Sequence, residues 1–146
     1  MEGIQRIVIP IDKSDSARIA TDRGAQFAKL IGVEVAIIYV SDSQQYIASS
    51  ALEDRLRQEN ERVLSEFRQI VEAREVGVSS HLLSGMNAAD EIIKFINDGD
   101  LIVMASHNKK GFDRFILGSV TEELLRRAPS TMLIFKPGMP NDHTPL

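Results

Sequence analysis

The sequence predicts an α/β fold, an open parallel sheet with helices on both of its faces. Short apolar runs alternate with longer amphipathic segments, and a strand followed by a helix recurs four times before a last strand. Such alternation is typical of parallel sheets. The length agrees, because 146 residues that are 43% hydrophobic form one ordinary domain. We expect a single domain over residues 1–137 and a loose C-terminal tail over 138–146.

The spacing of the apolar residues changes where the first strand ends and the first helix begins. Residues 6–11 form an apolar run, after which small and apolar residues recur at spacings of three and four. Ser14 or Asp15 can cap the start of this helix, and Gly32 suits the left-handed residue that ends it. Residues 35–40 are apolar throughout, which predicts a second strand covered on both faces.

The middle of the chain predicts a long helix and an edge strand. After the polar segment 41–50, an apolar stripe runs along a helix whose opposite side is charged. The stripe consists of Leu52, Leu56, Val63, Phe67 and Ile70. Residues 76–83 alternate between apolar and polar, as an edge strand does. Asn87 can cap the third helix, and residues 101–105 form another buried strand.

The last third of the chain predicts a loop, a helix and a final strand. Ser119 opens the helix, which runs through Ala128 and is stopped by Pro129. Residues 131–135 form an apolar last strand. Left as an unprotected edge, this strand invites pairing with a second copy of the chain.

The composition argues against several classes of protein. With 17 basic and 21 acidic residues, the net charge of −4 argues against general duplex binding. The absence of cysteine excludes a disulfide scaffold and a thiolate site, and the three histidines lack metal-ligand spacing. No apolar run reaches the length of a membrane span, and the first residues lack the features of a signal peptide. We expect a cytoplasmic protein without a nucleic-acid or membrane partner.

A ligand of such a sheet binds beyond the carboxyl ends of the strands, where the strand order reverses. The most informative segment at such an end is the loop over residues 105–121, which delivers Gly118 and Ser119 to a helix N-terminus. Free backbone N–H groups and the helix dipole make this point a candidate anion site. Three basic residues of the loop are Lys109, Lys110 and Arg114. Ser119 and Glu122 also fit a capping box, which needs no ligand, and both interpretations stay open.

The chain resembles the universal stress protein family over nearly its whole length, from Ile-Val-Ile-Pro-Ile-Asp-Lys-Ser in its first strand to Phe-Lys-Pro after its last. The most specific part is the family's nucleotide motif: glycine, two residues, glycine, nine residues, glycine, then Ser or Thr. Those positions hold Ala105, Asn108, Gly118 and Ser119, so the spacing is kept while two glycines are replaced.

The resemblance implies a five-stranded sheet in the order 3-2-1-4-5, Rossmann-like and of the adenine nucleotide alpha hydrolase-like type. It also implies a site for ATP or AMP, with Mg²⁺ as a candidate companion ion. Residues after the first two strands would hold adenine and ribose, Met104 would pack on the base, and the four residues from Gly118 would cradle the phosphates. The candidate binding residues are Pro10, Asp12, Lys13, Val40, Met104, Ala105, Asn108, Gly118, Ser119, Val120 and Thr121.

The two replaced glycines affect the expected nucleotide site in different ways. Asparagine tolerates a left-handed backbone better than most residues, so we expect Asn108 to preserve the turn. Ala105 adds a methyl group where the backbone approaches the ligand. Ordinary structural roles stay open for Asp12, as the acceptor of a loop amide, and for Met104, as a core residue.

The resemblance and the preserved spacing predict an ATP-binding regulator of the stress response that forms a homodimer through Thr131–Phe135. The alternatives are a nucleotide-independent dimeric interaction module of the same fold and a very slow ATP hydrolase. No catalytic residue is identified, because adjacent loop residues such as Ser106 and His107 seldom reach the geometry of a nucleophile and its base. The protein partner is unknown.

Overall fold

A computed structural model of the chain describes residues 3–41, 50–108 and 115–136. The strands in these ranges are β1 (Arg6–Ile11), β2 (Glu34–Ser41), β3 (Val78–Ser84), β4 (Asp100–Ala105), β5 (His107–Asn108), β6 (Phe115–Ile116) and β7 (Thr131–Phe135). The helices are α1 (Asp15–Ile31), α2 (Ser50–Glu72), α3 (Ala88–Phe95) and α4 (Ser119–Arg127). The loop cations at 109–114 and the predicted tail at 138–146 lie outside the described residues.

Five parallel strands form the sheet in the order β3-β2-β1-β4-β7. The predicted order is therefore confirmed, since β7 is the fifth strand of the sheet. The pair β5 and β6 forms a separate antiparallel ribbon. Strands of two residues carry no periodicity, so no sequence pattern predicts this ribbon.

The strand order reverses between β1 and β4, and the two strands pair over a short length there. β1 pairs with β2 along its whole length, from Arg6 to Ile11. It pairs with β4 only from Arg6 to Val8. Beyond Val8 no pairing joins the carboxyl halves of β1 and β4 in the described structure, which leaves room for a crevice at this edge.

Local side-chain chemistry sets the ends of α1 as the sequence predicts. The Ser14 hydroxyl accepts a hydrogen bond from the Ala17 N–H at 3.1 Å, which makes Ser14 the N-cap. At the other end Gly32 has φ 76° and ψ 38°, a left-handed conformation that glycine adopts without a steric cost. Its N–H donates to the Ala28 carbonyl and closes the helix.

Each face of the sheet has its own apolar core. The face under α1 and α2 buries Phe67 completely, together with alternate residues of β1 such as Ile9. The face under α3 and α4 buries Val8 and Ile38. The helix α1 lies close to the strands, because a Cβ on Gly24 would stand 2.7 Å from Ile9 Cδ1.

The predicted stripe of α2 is buried only in the later part of the helix. Val63 and Phe67 are buried, whereas Leu52 is 38% exposed. The 23 residues of α2 span about 35 Å. The seven residues of the neighbouring β3 span about 23 Å, so the first turns of α2 extend past the sheet.

A buried ion pair joins β1 and β4 at their amino ends. Arg6 donates from Nε and Nη2 to the two carboxylate oxygens of Asp100, at 2.9 and 2.7 Å. The hydrogen bond to Asp100 is the main cause that raises the pKa of Arg6. The guanidinium also lies 4.9 Å over the Phe95 ring, and that ring is 4.9 Å from His81. Burial and then the charge of Arg6 lower the pKa of His81.

None of the helices in the described ranges is long and apolar enough to cross a membrane.

Candidate functional site

A cavity of about 340 Å³ opens at the carboxyl edge of the sheet, between the ends of β1 and β4 and the start of α4. Its position is the one expected for a parallel sheet whose strand order reverses. Nine of the eleven candidate binding residues line it, and these are Pro10, Asp12, Val40, Met104, Ala105, Gly118, Ser119, Val120 and Thr121. Residues from four distant parts of the chain thus meet in one crevice.

The structure does not bring Lys13 into this crevice in the expected way. Lys13 is 58% exposed, and its Nζ lies 3.5 Å from a carboxylate oxygen of Glu59, so α2 draws it away from the lining. Asn108 belongs to β5, where it pairs with Phe115. The expectation that Asn108 preserves the turn of the motif stays a prediction.

The end of β1 supplies a carboxylate to one side of the crevice. Asp12 Oδ1 accepts a hydrogen bond from the Ser14 N–H at 2.9 Å. The loop-amide role considered for Asp12 is thus present. The residue is nevertheless exposed and lines the cavity.

The inner wall of the crevice is apolar and comes from β2, β4 and α3. Ile38 and Ile92 line it from two sides of the core under α3 and α4. Met104 packs against that core, as a core residue does, and it also lines the cavity. Thr121 Oγ1 lies 3.4 Å from Met104 Sδ, a contact that ties the first turn of α4 to β4.

The first turn of α4 points its backbone N–H groups at the cavity. The N-cap is Gly118, with φ −71° and ψ 162°, and no side chain makes a capping hydrogen bond. Ser119 is the first residue of the helix, so the capping-box interpretation of Ser119 and Glu122 is wrong. The opening N–H groups of a helix have no partner within it and carry its positive dipole end. An anion is the natural partner for them.

His107, which stands beside Ser106 in the sequence, lines the cavity. Its Nδ1 lies 2.8 Å from the hydroxyl of Ser16, in the first turn of α1. Its other ring nitrogen faces Gly118, because a Cβ built there would be 3.4 Å from Nε2. The partner of His107 is 91 positions away in the chain and not the adjacent Ser106, so no local pattern could have revealed it. The Ser106 hydroxyl is buried without a hydrogen-bond partner in the described structure.

Charged side chains are scarce in the described part of the crevice. Asp12 is the charged lining residue, and the described ranges place no Lys or Arg in the lining. Those ranges also contain no group of three or more His, Asp or Glu residues arranged to hold a metal ion. The donors that face a ligand here are backbone N–H groups, hydroxyls and the His107 ring.

Comparison with known proteins gives consistent matches over almost the whole chain. The model of the universal stress protein family matches residues 3–136. Universal stress protein MJ0531 of Methanocaldococcus jannaschii is 31% identical over 140 residues, covering 90% of this chain and 82% of that protein.

Solved structures show the same architecture. That of protein MJ0577, from the same organism, superposes with a TM-score of 0.70 at 27% identity and covers 92% of this chain and 97% of that one. The universal stress protein from Archaeoglobus fulgidus in complex with dAMP has a TM-score of 0.66 at 23% identity, covering 89% and 96%. At that identity the second similarity shows the fold alone.

Proposed function

This chain belongs to the universal stress protein family, and on that premise we propose that its crevice binds an adenine nucleotide, ATP or AMP. Through the bound nucleotide the protein acts as a regulator in the stress response. The observation that carries this proposal is the start of α4, where Gly118 leaves the helix without a side-chain cap beside a crevice whose inner wall is apolar.

The inner part of the crevice suits a flat, largely apolar base. Ile38, Val40 and Met104 line this part and offer an apolar surface on which adenine can pack. Asp12 lies at the end of β1 and its carboxylate accepts hydrogen bonds. The resemblance to the family places the ribose beside this carboxylate, which would accept hydrogen bonds from the ribose hydroxyls.

The outer part of the crevice suits phosphate. N–H groups at the start of α4 provide fixed donors near Gly118 and Ser119, and the dipole favours a negative charge there. Ala105, which replaces a glycine of the family motif, is only 7% exposed and packs into the core under α1 and α2. Most of its surface is thus turned away from the ligand, which supports binding despite the substitution.

Calorimetry on protein stripped of small molecules tests the proposal. ATP and AMP, each titrated with and without Mg²⁺, are expected to bind at micromolar to submillimolar concentration. Asp12→Asn is expected to weaken both ligands, because it replaces the charged carboxylate that accepts from ribose by a neutral amide with a single acceptor oxygen. The matched control Asp15→Asn changes a carboxylate at the start of α1 that does not line the cavity, and should leave both affinities unchanged. An absence of heat at millimolar ligand, with the fold intact, would contradict the proposal.

The replaced glycines favour one alternative, a dimeric interaction module that needs no nucleotide. In that case the methyl group of Ala105 and the side chain at position 108 have closed the site to phosphate. The double variant Ala105→Gly, Asn108→Gly separates the two functions. If ATP binds only to the double variant, the natural protein is the interaction module; if both bind it, the nucleotide-binding function stands.

The edge of β7 supports a homodimer as the working form of the protein, which we place in the cytoplasm. In the described structure β7 pairs with β4 on one side, and its other edge is not covered by a strand. Its apolar residues are only partly buried, and Ile134 belongs to neither core. Pairing of Thr131–Phe135 with the same strand of a second copy would satisfy the exposed backbone groups.

A further inference from the structure

We infer that a groove at the amino edge of the sheet is a docking site for a protein partner, which inserts an arginine side chain of a basic segment into it. The groove lies at the opposite end of the strands from the nucleotide crevice. Such a site does not depend on nucleotide binding, and it would serve a nucleotide-binding regulator and an interaction module alike.

The groove lies at the starts of three adjacent strands, β1, β4 and β7. It has a volume of about 620 Å³, compared with about 340 Å³ for the crevice. Its walls are the segment before β1, the turn between α3 and β4, and the turn between α4 and β7. Because neighbouring strands lie about 4.8 Å apart, three strand starts span about 10 Å, which is the length of about three residues of extended peptide.

The turn between α3 and β4 presents Asp98 on a preformed backbone. The Asp100 N–H donates to the Asn97 carbonyl at 3.2 Å, and the Asn97 N–H donates to Asp100 Oδ2 at 2.8 Å. Arg6 holds the same carboxylate from the other side of the turn. Gly99 takes the left-handed position of this turn, with φ 86°. Since the backbone is already fixed, little of its conformational freedom is lost when a partner binds.

The electrostatic character of the groove is the reverse of that of the crevice. Residues that follow both α3 and α4 line it, and the last carbonyls of a helix carry its negative dipole end. Asp98 is exposed, and no cation pairs with it within the described ranges. The basic residues in the last turns of the two helices stand outside the lining, and these are Lys94, Arg126 and Arg127. A positive charge on the partner complements such a groove.

Neutral acceptors beside Asp98 favour arginine over lysine as the inserted side chain. The hydroxyls of Ser130 and Thr131 and the side-chain amide of Gln5 belong to residues of the same lining. A guanidinium carries five N–H donors in one plane and can serve a carboxylate together with such neighbours, whereas an ammonium group has three donors at one point. The aliphatic stem of the arginine would pack on the apolar part of the lining, which includes Pro129.

Titration of the full chain with N-acetyl-arginine amide, followed in ¹⁵N–¹H spectra, tests the docking site. N-acetyl-citrulline amide is the matched probe, because it has nearly the same shape and no charge. We expect the arginine probe to shift the amides of Gln5, Asp98, Gly99 and Ser130, with a Kd on the order of millimolar. The citrulline probe should bind about fivefold more weakly, or less.

Two aspartate variants separate the groove from the general acidity of the protein. Asp98→Asn should weaken the arginine probe about fivefold or more, because it removes the charge that the guanidinium meets. Asp54→Asn makes the same change at an exposed residue near the start of α2, outside the groove, and should leave the affinity unchanged. The same spectra show whether each variant is folded.

Shifts that spread over other acidic parts of the surface, or that Asp98→Asn leaves unchanged, would overturn the inference, as would equal affinities for the two probes. Groove amides that shift with protein concentration in the absence of a probe would show a second copy in the groove, and would also overturn the assignment to a partner. ATP calorimetry on Asp98→Asn should match the wild type, so failure of the nucleotide site and failure of the groove are observed separately.

Discussion

Replacing Gly118 by alanine should separate ligand binding from folding. The backbone at Gly118, with φ −71° and ψ 162°, is open to any residue. An added Cβ would lie 3.4 Å from His107 Nε2 and 3.7 Å from Cδ2, which are ordinary contact distances. The variant should therefore fold with the same backbone. The poorer N-cap preference of alanine is expected to lower the free energy of unfolding by about 0.5–1 kcal/mol.

The effect of Gly118→Ala on nucleotide binding should be much larger. The methyl group would occupy the space between His107 and the N–H groups of α4, where a phosphate oxygen must come within about 3 Å of a donor nitrogen. Loss of two hydrogen bonds to a charged oxygen, at about 1.5 kcal/mol each, gives about 3 kcal/mol, or roughly 100-fold in Kd. Calorimetry with ATP measures the affinity, and guanidinium unfolding measures the stability.

Ser119→Ala is the matched control, because it removes a hydroxyl of the same turn and keeps the backbone N–H. Its expected loss in ATP affinity is less than about tenfold. If Gly118→Ala binds ATP as tightly as the wild type, the phosphate does not sit at the start of α4. If the variant instead loses more than about 2 kcal/mol of unfolding free energy, the glycine is required for folding and not for the ligand.

Three further predictions concern the scaffold and its assembly. Asp100→Asn leaves Arg6 partly buried without its counter-charge and should lower the free energy of unfolding by about 2–4 kcal/mol in guanidinium; a loss below about 0.5 kcal/mol would refute a stabilising role for the pair. Because the pKa of His81 is lowered from its ordinary 6.5, the unfolded chain takes up this proton first, so stability should fall as the pH drops below about 6.5. His81→Gln should reduce that pH dependence, and an unchanged profile would contradict the assignment. Ile134→Lys should convert the proposed dimer to a monomer in light scattering, while Leu125→Lys, at a residue of α4 that is 48% exposed, should not; a wild-type monomer would refute the dimer.

Features that depend on neighbours in the chain were predictable from the sequence. The caps Ser14 and Asn87 each bond an N–H three residues ahead, and Gly32 closes α1 on a carbonyl four residues back. Such interactions can be predicted from short sequence patterns. The sheet order followed from the resemblance to the family, and the half-polar pattern of residues 76–83 correctly pointed to an edge strand, β3.

Features that depend on distant residues could not be predicted in the same way. The sequence pattern at Ser119 fits a cap, but the N-cap lies one residue earlier, at Gly118, and Ser119 is the first residue of the helix. Lys13 follows a strand that leads to the crevice, yet its ammonium group pairs with Glu59 of the long helix α2 instead. The hydrogen bond between His107 and Ser16 joins residues 91 positions apart, which no short sequence pattern predicts.

The short pairing between β1 and β4 gives the sheet a seam. At the amino end of the seam the ion pair of Arg6 and Asp100 joins the two strands. The pairing of the strands ends after Val8. Strands β3, β2 and β1 form the half of the sheet on one side of the seam, and β4 and β7 form the half on the other side. A nucleotide in the crevice would contact both halves and would hold them together at the carboxyl ends of β1 and β4, where the two strands do not pair. Its concentration would then tune how firmly the halves are joined, by an amount that grows as the logarithm of ligand over Kd. Slower amide exchange along the carboxyl ends of β1 and β4 would report this stabilisation directly. Nucleotide binding would then link the energy state of a cell to the rigidity of this one seam.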